Sequence, residues 1–351
     1  MDNEQPLLNK DFIAITQDFE QYLRLIKAKF DAFDINNADD KNRIIFVDSE
    51  KKEISKVFDT YLHKTWEIAK DLDKDSYKHH QQYYQDMLCP LIVEPSEINR
   101  HIYNKIFGYY GDYITMNYIY DYNGNSRYLG KSSFEKLMNH YTCNIPFPTS
   151  NVLRKEFLKQ KISESINKNE TVNILTIGCG PARELLELLN DGKIDKKTNF
   201  NCLDLEKRAL EYVEDQIKKS ENSKKKFLNI RFFHNNILDL IRNKTLIQEL
   251  TGQDLIYVSG VFDYLKDRLA ARVTNELYKL LNNKGNLIIC NASAENCSHR
   301  AYYEIIGDWE MMYRTKDDML AWTKDIENAS KIEFEEPYGP INYLFMNIKH
   351  T

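Results

Sequence analysis

The stretch Val172–Leu189, VNILTIGCGPARELLELL, decides the fold of this chain. Its apolar run ends at Gly178-Cys179-Gly180-Pro181-Ala182 and is followed by leucines at helical spacing, which predicts a buried strand, a tight turn and a helix. Glycine permits positive φ and lets a ligand approach the backbone, while the unpaired N–H groups of the following helix face that ligand. The stretch therefore predicts a nucleotide site, although similar turns also occur in α/β proteins that bind nothing there.

The next predicted strand, Phe200–Leu205, ends beside two acidic residues, Asp204 and Glu206. Asp204 lies 24 positions after Gly180 (204 − 180). An acidic residue about 20 positions beyond the glycine turn, at the tip of the second strand, is placed to bind ribose hydroxyls. The alternative is that one of the two carboxylates caps the helix predicted over Lys207–Ile217.

Two later features narrow the class of nucleotide. The third predicted strand, Asn229–Phe233, runs towards Asn235 and Asn236, whose amides can hydrogen-bond an adenine edge. A dinucleotide favours a third glycine, but Ala182 stands in that position. We therefore expect that NAD is not a ligand.

The chain ends in two strand-like runs, Lys331–Tyr338 and Ile341–His350, separated only by Gly339-Pro340. So short a connection predicts an antiparallel hairpin, because a parallel crossover needs about a dozen residues or more. Apolar residues on both faces of the last run predict a strand between two others. This arrangement resembles the class I methyltransferases that use S-adenosylmethionine, whose α/β, Rossmann-like sheet ends in such a hairpin.

Composition argues against several classes of partner. A net charge of −5 and a pI near 6.0 give no general attraction for nucleic acid, and no run approaches the ~20 apolar residues of a membrane span. The six cysteines form no C-x-x-C pair, which indicates reduced core residues rather than a metal site or disulfides. The first residues lack the pattern of a signal peptide, so we expect a cytoplasmic protein. Oligomeric state is left open.

The N-terminal part has a different organisation. Apolar residues at helical spacing from about Lys10 to Cys89 predict three helices, with an irregular link over Asp34–Asp48. We expect a helical domain over residues 1–150, including a tyrosine-rich lid at 95–122, and a cofactor domain over 151–351. The role of the first ~90 residues is left open.

The stretch Pro95–Tyr122 contains seven tyrosines, and Gly108 and Gly111 interrupt its helical pattern. One interpretation is a packed interdomain loop whose hydroxyls are satisfied by the backbone. The other is a lid whose aromatic faces surround a sulfonium, since cations are attracted to ring faces. In the second interpretation Tyr109 and Tyr113 face the sulfonium or the acceptor, and Asp112 bonds the cofactor's ammonium or a neighbouring tyrosine hydroxyl.

Residues 105–120, KIFGYYGDYITMNYIY, resemble the K/R-P-L-G-Y-A-G-D-Y-x-M-M-N-x-I-Y signature of a bacterial family of extracellular factor (3-hydroxypalmitic acid methyl ester) biosynthesis proteins. Four later segments fit the same family: ILTIGCGPAREL, CLDLEKRAL, DLIYVSGVFDYLKDRLA and DWEMMYRTKDDM. The resemblance implies methyl transfer from S-adenosylmethionine to the carboxylate of a 3-hydroxy fatty acid. Ile106 and Tyr110 depart from the family pattern, and Thr176 stands where many methyltransferases have an acidic residue. These departures put the acceptor in question more than the cofactor.

The resemblance also implies roles for individual residues. Asn236 takes the position usually held by an aspartate near the adenine amino group. Residues after the fifth predicted strand, Leu287–Asn291, belong to the acceptor loops, where His299, Arg300 or Arg314 could place a carboxylate and His299 could act as a base for a hydroxyl or amine. The predicted cofactor-binding residues are Gly178, Cys179, Gly180, Ala182, Asp204, Glu206, Asn235, Asn236, Ser259 and Gly260, and the predicted catalytic residues are Tyr109, Asp112, Tyr113, His299 and Arg314.

Three functions are compatible with these patterns. The first is a methyltransferase for the carboxyl or hydroxyl of a small fatty-acid-like metabolite. The second is an enzyme of the same fold that cyclises S-adenosylmethionine and releases methylthioadenosine. The third is a nucleotide-binding module without catalysis. The released product distinguishes them, because a methyltransferase alone forms S-adenosylhomocysteine.

Overall fold

The computed structural model describes residues 7–121, 124, 126–295, 299–327, 329–335 and 342–351, except for the side chains of residues 223 and 224. It divides into two compact units. Unit 1 comprises Met1–Thr149 and Ser298–Glu310, and unit 2 comprises Ser150–Cys297 and Met311–Thr351. The break in the first half of the chain falls between Thr149 and Ser150, and the segment after the fifth strand is assigned to the helical unit. No helix in the described ranges is both long and apolar enough to span a bilayer.

Three long helices begin unit 1, as predicted: α1 Lys10–Asn36, α2 Asp40–Ala69 and α3 Lys74–Ile92. The prediction of an irregular link over Asp34–Asp48 is wrong, because the two helices are separated only by residues 37–39. Asp39 accepts a hydrogen bond from the Asn42 N–H at 3.1 Å and caps α2. The polar residues that suggested a loop therefore provide a helix cap.

Shorter helices complete unit 1: α4 Glu97–Asn104, α5 Tyr113–Ile119 and α6 Ser133–Asn144. The returning segment contributes a π-helical turn, Ala301–Ile306, whose residues are all buried. The hydroxyl of Tyr302 lies 2.7 Å from both Asn99 Nδ2 and Thr142 Oγ1, in a buried network. Burial of this turn among helices α4 and α6 explains why the segment belongs to unit 1. Helix α7, Pro146–Lys168, leads into unit 2.

Unit 2 contains, within the described residues, a seven-stranded sheet in the order β3-β2-β1-β4-β5-β7-β6. The first five strands are parallel, and β7 is antiparallel to both of its neighbours. The strands are β1 Thr171–Ile177, β2 Lys197–Asp204, β3 Leu228–His234, β4 Gln253–Val258, β5 Leu281–Ala292, β6 Ala329–Glu335 and β7 Tyr343–His350. Central strands are buried along nearly their whole length, as expected of parallel strands covered on both faces.

Helices cover the sheet and complete its core: α8 Arg183–Asn190, α9 Lys207–Lys219, α10 Lys244–Leu250, α11 Asp267–Tyr278 and α12 Lys316–Leu320. The stripe Val273 and Leu277 of α11 is fully buried, as its apolar spacing predicts. Strand order reverses between β1 and β4, because β2 lies on one side of β1 and β4 on the other. Open α/β sheets bind ligands at the carboxyl ends of the strands beside such a point.

The predicted C-terminal hairpin is confirmed, since β6 and β7 pair antiparallel and β7 lies between β5 and β6. The first six residues of β7 are buried, which agrees with the apolar residues that the sequence places on both faces of this strand. The predicted turn at Gly339-Pro340 and its flanks Tyr338 and Ile341 lie outside the described residues. The predicted architecture, an α/β Rossmann-like sheet that ends in an antiparallel hairpin and is preceded by a helical unit, is therefore observed.

Candidate cofactor site

The glycine turn after β1 packs directly against the turn after β4. Gly178 has φ +66°, and its N–H donates to the Leu203 carbonyl at 2.8 Å. A Cβ on Gly178 would lie 2.4 Å from Val261 Cγ2, well inside contact distance. The position therefore requires glycine for both conformation and space. Ala182 is the N-cap of α8, with φ +43°, and is fully buried, so the third position of the turn keeps the left-handed conformation without a glycine.

Gly180 faces open space at the tip of the same turn. Its φ is +50°, and apart from Gly180 itself and its two chain neighbours, no heavy atom of the described residues lies within 4 Å of where its Cβ would stand. Its N–H donates to Asp204 Oδ2 at 2.8 Å. The preceding side chain, Cys179, is buried and points its sulfur back towards the Gly180 carbonyl at 3.7 Å. Gly180 is thus the part of the turn that leaves room for a ligand.

Asp204 links the glycine turn to the end of β2. Its other oxygen, Oδ1, accepts the Glu206 N–H at 2.8 Å, and the residue is 8% exposed. Burial raises the pKa of this carboxyl, while the backbone hydrogen bonds from Glu206 and Gly180 act in the opposite direction. A carboxylate has about four acceptor positions, so two donors leave capacity for hydroxyl groups of a ligand.

Glu206, also predicted to bind the cofactor, is the N-cap of α9. Its Oε1 accepts the Arg208 N–H at 3.0 Å, and both of its oxygens bond the Arg208 guanidinium at 2.7 and 2.8 Å. Hydrogen bonding to Arg208 lowers the pKa of Glu206. The structure therefore assigns Glu206 the capping role that the sequence had left as an alternative for one of the two acids.

Asn235 and Asn236 follow β3 at the same edge of the sheet. The Asn235 N–H donates to the Asp204 carbonyl at 3.1 Å. Asn236 Oδ1 accepts the Leu238 N–H at 2.9 Å in a capping box with Asp239. Since a backbone N–H can only donate, this bond orients the amide, and its Nδ2 has no hydrogen-bond partner within the described part of the chain. Asn236 can thus present a donor to a base.

The turn after β4 contains Ser259 and Gly260, and Gly260 has φ +73°. Asp263 follows it and is buried, with Oδ1 accepting the Ala292 N–H at 2.6 Å. The Met312 N–H in turn donates to the Asp263 carbonyl at 2.8 Å. These bonds fix the β4 turn against the ends of its neighbours at the carboxyl edge of the sheet.

Arg314, predicted to hold an acceptor, instead holds this turn. It is 3% exposed, and its guanidinium donates to the carbonyls of Phe262 and Leu265 and to Asn291 Oδ1. Its Nε bonds Asp267 at 2.9 Å, and Nη2 also faces Met312 Sδ at 3.5 Å. A guanidinium has five N–H donors, and these contacts engage every nitrogen. Arg314 therefore holds the turn after β4 in this structure, and its contact with an acceptor stays a prediction.

His299 and Arg300 lie in unit 1. His299, at φ +62°, places Nε2 3.0 Å from Asp59 Oδ1, which also accepts the Tyr141 hydroxyl at 2.7 Å. The Arg300 guanidinium stacks over Trp66 at 4.3 Å, and its Nε donates to Glu304 at 2.6 Å. These contacts are made within the helical unit, which the sequence had not indicated for a segment after the fifth strand.

The predicted lid residues lie in unit 1. Asp112 caps α5 by accepting N–H groups of Ile114 and Thr115, and both of its oxygens lie 3.0 Å from His101 Nε2. Sequence reasoning missed His101, whose only mark was its position in an amphipathic helix. Asp112 is 2% exposed, and its observed partners are these groups and the Thr115 hydroxyl, at 3.1 Å, rather than a tyrosine hydroxyl.

The two tyrosines flank this capped turn. Tyr113 is the first residue of α5, with its ring 5.6 Å from that of Phe107, and Tyr109 is half-buried. Neighbouring Tyr110 stacks on Trp309 with centroids 5.7 Å apart and planes 10° apart. Within unit 1, part of this aromatic surface is therefore packing.

Three residues of unit 2 escaped prediction. Leu205, between Asp204 and Glu206, is apolar yet 60% exposed at the end of β2, where it can cover a planar ligand. Glu184 is buried in the first turn of α8 and accepts the Tyr257 hydroxyl at 2.6 Å. Arg154 is a buried cation in α7. An apolar residue between two acids could have indicated Leu205 as a site residue. The sequence around Glu184 and Arg154 shows only the spacing of an ordinary helix, so it gave no such indication.

Comparison with known proteins agrees with this architecture. Residues 168–334 match the family model described as a methyltransferase domain, a range that includes the glycine turn, Asp204 and the β4 turn. No curated protein matches the chain.

Solved structures are similar at low sequence identity. A possible exported protein from Bordetella parapertussis has a TM-score of 0.55 and 12% identity, over 72% of this chain and 86% of that one. The magnesium protoporphyrin IX methyltransferase of Synechocystis PCC 6803 has a TM-score of 0.40 and 11% identity, over 57% and 81%. The N-methyltransferase NodS of Bradyrhizobium japonicum WM9 has a TM-score of 0.39 and 16% identity, over 56% and 96%. The first of these shows a likeness of fold alone.

Proposed function

We propose that this class I S-adenosylmethionine-dependent methyltransferase transfers the methyl group to the carboxyl of a small fatty-acid-like metabolite, with a hydroxyl as the alternative acceptor. The observation that carries the choice of acceptor is the resemblance of residues 105–120 and four later segments to the extracellular factor family. The methyltransferase match supports the type of reaction. The net charge of −5 favours a small molecule over nucleic acid as substrate.

In this proposal the adenosine part of the cofactor binds at the ends of β1, β2 and β3. Asp204 accepts hydrogen bonds from both ribose hydroxyls, and Leu205 covers one face of adenine. Asn236 donates from Nδ2 to a ring nitrogen of adenine, which is the reverse of what an aspartate would do. Gly180 lets the ribose approach the turn, and the turn at Ser259 and Gly260 borders the methionine part.

Methyl transfer needs little chemical assistance from side chains. The acceptor oxygen forms a bond to the methyl carbon while the carbon–sulfur bond breaks. The electron pair of the broken bond stays on sulfur, which leaves as a neutral thioether. Because the methyl is already activated by the sulfonium, alignment and exclusion of water supply most of the rate. A carboxylate acceptor is already deprotonated at neutral pH, so no general base is required.

We also propose that the ring faces of Tyr109 and Tyr113 stabilise the sulfonium. A desolvated cation on an aromatic face gains up to about 2 kcal/mol, and this gain is lost once the methyl has left. The two rings would then bind the charged cofactor more tightly than its neutral demethylated product, which favours release of that product after methyl transfer.

A direct test uses cofactor labelled in the methyl group with a panel of 3-hydroxy fatty acids of different chain length. We expect the label in a lipid-extractable methyl ester, from which mild base releases it as methanol. S-adenosylhomocysteine should form in an equal amount. A base-stable product would point to a hydroxyl acceptor. Methylthioadenosine instead of S-adenosylhomocysteine would overturn methyl transfer in favour of cyclisation, and binding without any product would indicate a non-catalytic module. NAD, which we expect not to bind, serves as the control ligand.

The cytoplasm is the compartment we propose. All five described cysteines are free thiols, which agrees with a reducing environment. Protein purified without a reducing agent should show no disulfide by mass spectrometry. An internal disulfide would argue for an oxidising compartment.

A further inference from the structure

A narrow apolar cavity lies inside the helical unit. In the described part of the chain its lining belongs entirely to unit 1, from the end of α3 to the start of α7 together with the returning segment after β5. Most of the lining is aliphatic or aromatic and includes Val93, Ile102, Ile119, Phe147, Ile306 and Trp309. The cavity measures about 30 Å³, roughly one water molecule's share of the liquid, so it admits a slim group but not a ring.

Three polar side chains at this cavity are paired with one another. The Tyr302 hydroxyl lies 2.7 Å from both Asn99 Nδ2 and Thr142 Oγ1, and Asn99 Nδ2 also donates to the Ile92 carbonyl at 2.9 Å. A buried water is stable where roughly two to four polar groups are left to bond it. Because these polar groups already bond each other, the cavity favours an apolar occupant over water.

One wall of the cavity is the π-helical turn Ala301–Ile306, which contributes Tyr302, Tyr303 and Ile306 to the lining. Such turns are rare in proteins and occur frequently at functional sites. The turn ends at Gly307, where a Cβ would lie only 2.8 Å from the Tyr303 carbonyl oxygen. The sequence thus supplies a glycine at the position where this unusual wall leaves no space for a side chain.

Two glutamines of α3 hold the same wall in place. Gln81 Nε2 donates to the Glu304 carbonyl at 2.7 Å, and Gln85 Nε2 donates to the Ile305 carbonyl at 2.8 Å. Backbone carbonyls that are buried need donors, and here side chains of another helix provide them. The wall is therefore fixed by specific hydrogen bonds, which is typical of a shaped binding site rather than of a gap left by loose packing.

We propose that this cavity binds the end of an unbranched hydrocarbon chain of the acceptor, and that Val93 and Ile306 determine the preferred chain length. The inference rests on the proposed function, in which the acceptor is a fatty-acid-like metabolite. Apolar walls favour hydrocarbon, because each carbon that enters the cavity leaves water. The small volume limits how much of the chain can enter, since a chain that is too long meets well-packed side chains.

The test measures binding without S-adenosylmethionine, so that no reaction takes place. Calorimetric affinities are determined for straight-chain saturated fatty acids from octanoate to myristate, and the wild type should prefer one length within this series. Ile306→Ala removes three carbon atoms from the wall, so we expect the preferred chain to become about two carbons longer. Val93→Ile adds one carbon to the wall, so the chain that the wild type prefers should bind about 3- to 10-fold more weakly and a shorter chain should become the best ligand.

The matched control is Ile54→Ala, which also removes three carbon atoms from a buried isoleucine of unit 1, but in α2 and away from the cavity lining. It should lower thermal stability and leave the preferred chain length at the wild-type value. If Ile306→Ala does not fold, Val93→Ile decides the question.

Two results would overturn this assignment: no binding of any fatty acid by the wild type, or the same preferred length in the wild type and in each cavity variant that folds. The proposed function fails differently. If the length preference shifts as expected but no bound chain accepts a methyl group from S-adenosylmethionine, the cavity keeps its ligand and the choice of acceptor is rejected.

Discussion

The carboxylate of Asp204 accepts a hydrogen bond from the backbone N–H of Gly180 at 2.8 Å. These residues are 24 positions apart in the sequence (204 − 180) and lie at the ends of adjacent parallel strands. One side chain therefore holds the glycine turn in place and keeps acceptor capacity for a ligand. Its loss should affect both the shape of the turn and the binding of ribose.

Replacing Asp204 by alanine should weaken S-adenosylmethionine about 5- to 150-fold, because a lost acceptor pair for ribose costs about 1–3 kcal/mol. Calorimetry measures the affinity, and thermal unfolding without ligand measures the contribution of the turn. Glu206→Ala is the matched control, since it removes the cap of α9 and should reduce stability with less than about a threefold change in affinity. Unchanged affinity in Asp204→Ala would remove this residue from the site.

Alanine at the two glycines of the turn should have different effects. Both positions have positive φ, which costs a non-glycine residue roughly 1–2 kcal/mol. Gly178→Ala also forces a Cβ to 2.4 Å from Val261, and such overpacking typically costs about 1–3 kcal/mol more. Gly180→Ala meets open space in the protein but obstructs the ligand. We expect Gly178→Ala to lose more unfolding free energy than Gly180→Ala. For a given loss of stability, Gly180→Ala should lose more affinity for S-adenosylmethionine.

Urea unfolding and calorimetry on both variants check this expectation. Val261→Ala combined with Gly178→Ala should recover part of the stability, since it removes the methyl group that the new Cβ meets. Equal stabilities for the two single variants would show that the contact with Val261 is readily relieved.

Arg314→Lys should destabilise unit 2 by at least about 2 kcal/mol, because buried carbonyls of Phe262 and Leu265 lose their donors and each such loss costs about 1–3 kcal/mol. Chemical unfolding monitored by circular dichroism measures the effect, and exposed Arg268→Lys on α11 serves as the control. A variant of normal stability with a raised KM for a carboxylate acceptor alone would restore the acceptor role predicted from the sequence.

Tyr109→Ala and Tyr113→Ala should weaken S-adenosylmethionine more than S-adenosylhomocysteine, since only the former carries the positive charge that ring faces attract. Tyr110→Ala provides the comparison, because Tyr110 stacks on Trp309 and its loss should lower thermal stability and weaken both ligands alike. If Tyr109 and Tyr113 show the same pattern as Tyr110, their contribution is packing alone.

Unit 1 should lose stability in mild acid through His140. Burial, followed by the charge of Lys51, lowers the pKa of His140 from 6.5 to about 4, and its Nε2 lies 3.2 Å from Lys51 Nζ. Between these two pKa values the unfolded chain binds a proton that the folded chain does not, so the contribution of this group to stability falls as the pH falls. His140→Gln keeps an acceptor for Lys51 without titrating and should flatten the pH dependence of thermal unfolding.

Exposed His63 provides the matched control for that measurement, and His63→Gln should leave the pH profile of the wild type intact. A profile that stays the same in His140→Gln would assign the acid sensitivity to other groups.

The amino-acid sequence by itself determined the strand, turn and helix at Val172–Leu189, the approximate positions of the later strands, and the antiparallel hairpin at the end. These features depend on local patterns: apolar runs of strand length, glycines at positive φ and connections too short for a crossover. The proposed ribose role of Asp204 also came from spacing, because parallel strands joined by a helix bring their carboxyl ends to one edge of the sheet. The same local patterns wrongly predicted an irregular link over Asp34–Asp48, where the polar Asp39 caps a helix.

Only the tertiary structure decided which polar side chains are already occupied and which face the site. Arg314 and Glu206 carry charges that the sequence could not distinguish from ligand-binding ones, yet the first bonds buried carbonyls and the second caps α9. Arg154 comes from a helix before the first strand and meets Gly260 more than 100 positions later (260 − 154). Hydrogen bonds and burial depend on partners brought together by folding, so sequence spacing can propose a charged residue for the site but cannot show what that residue contacts.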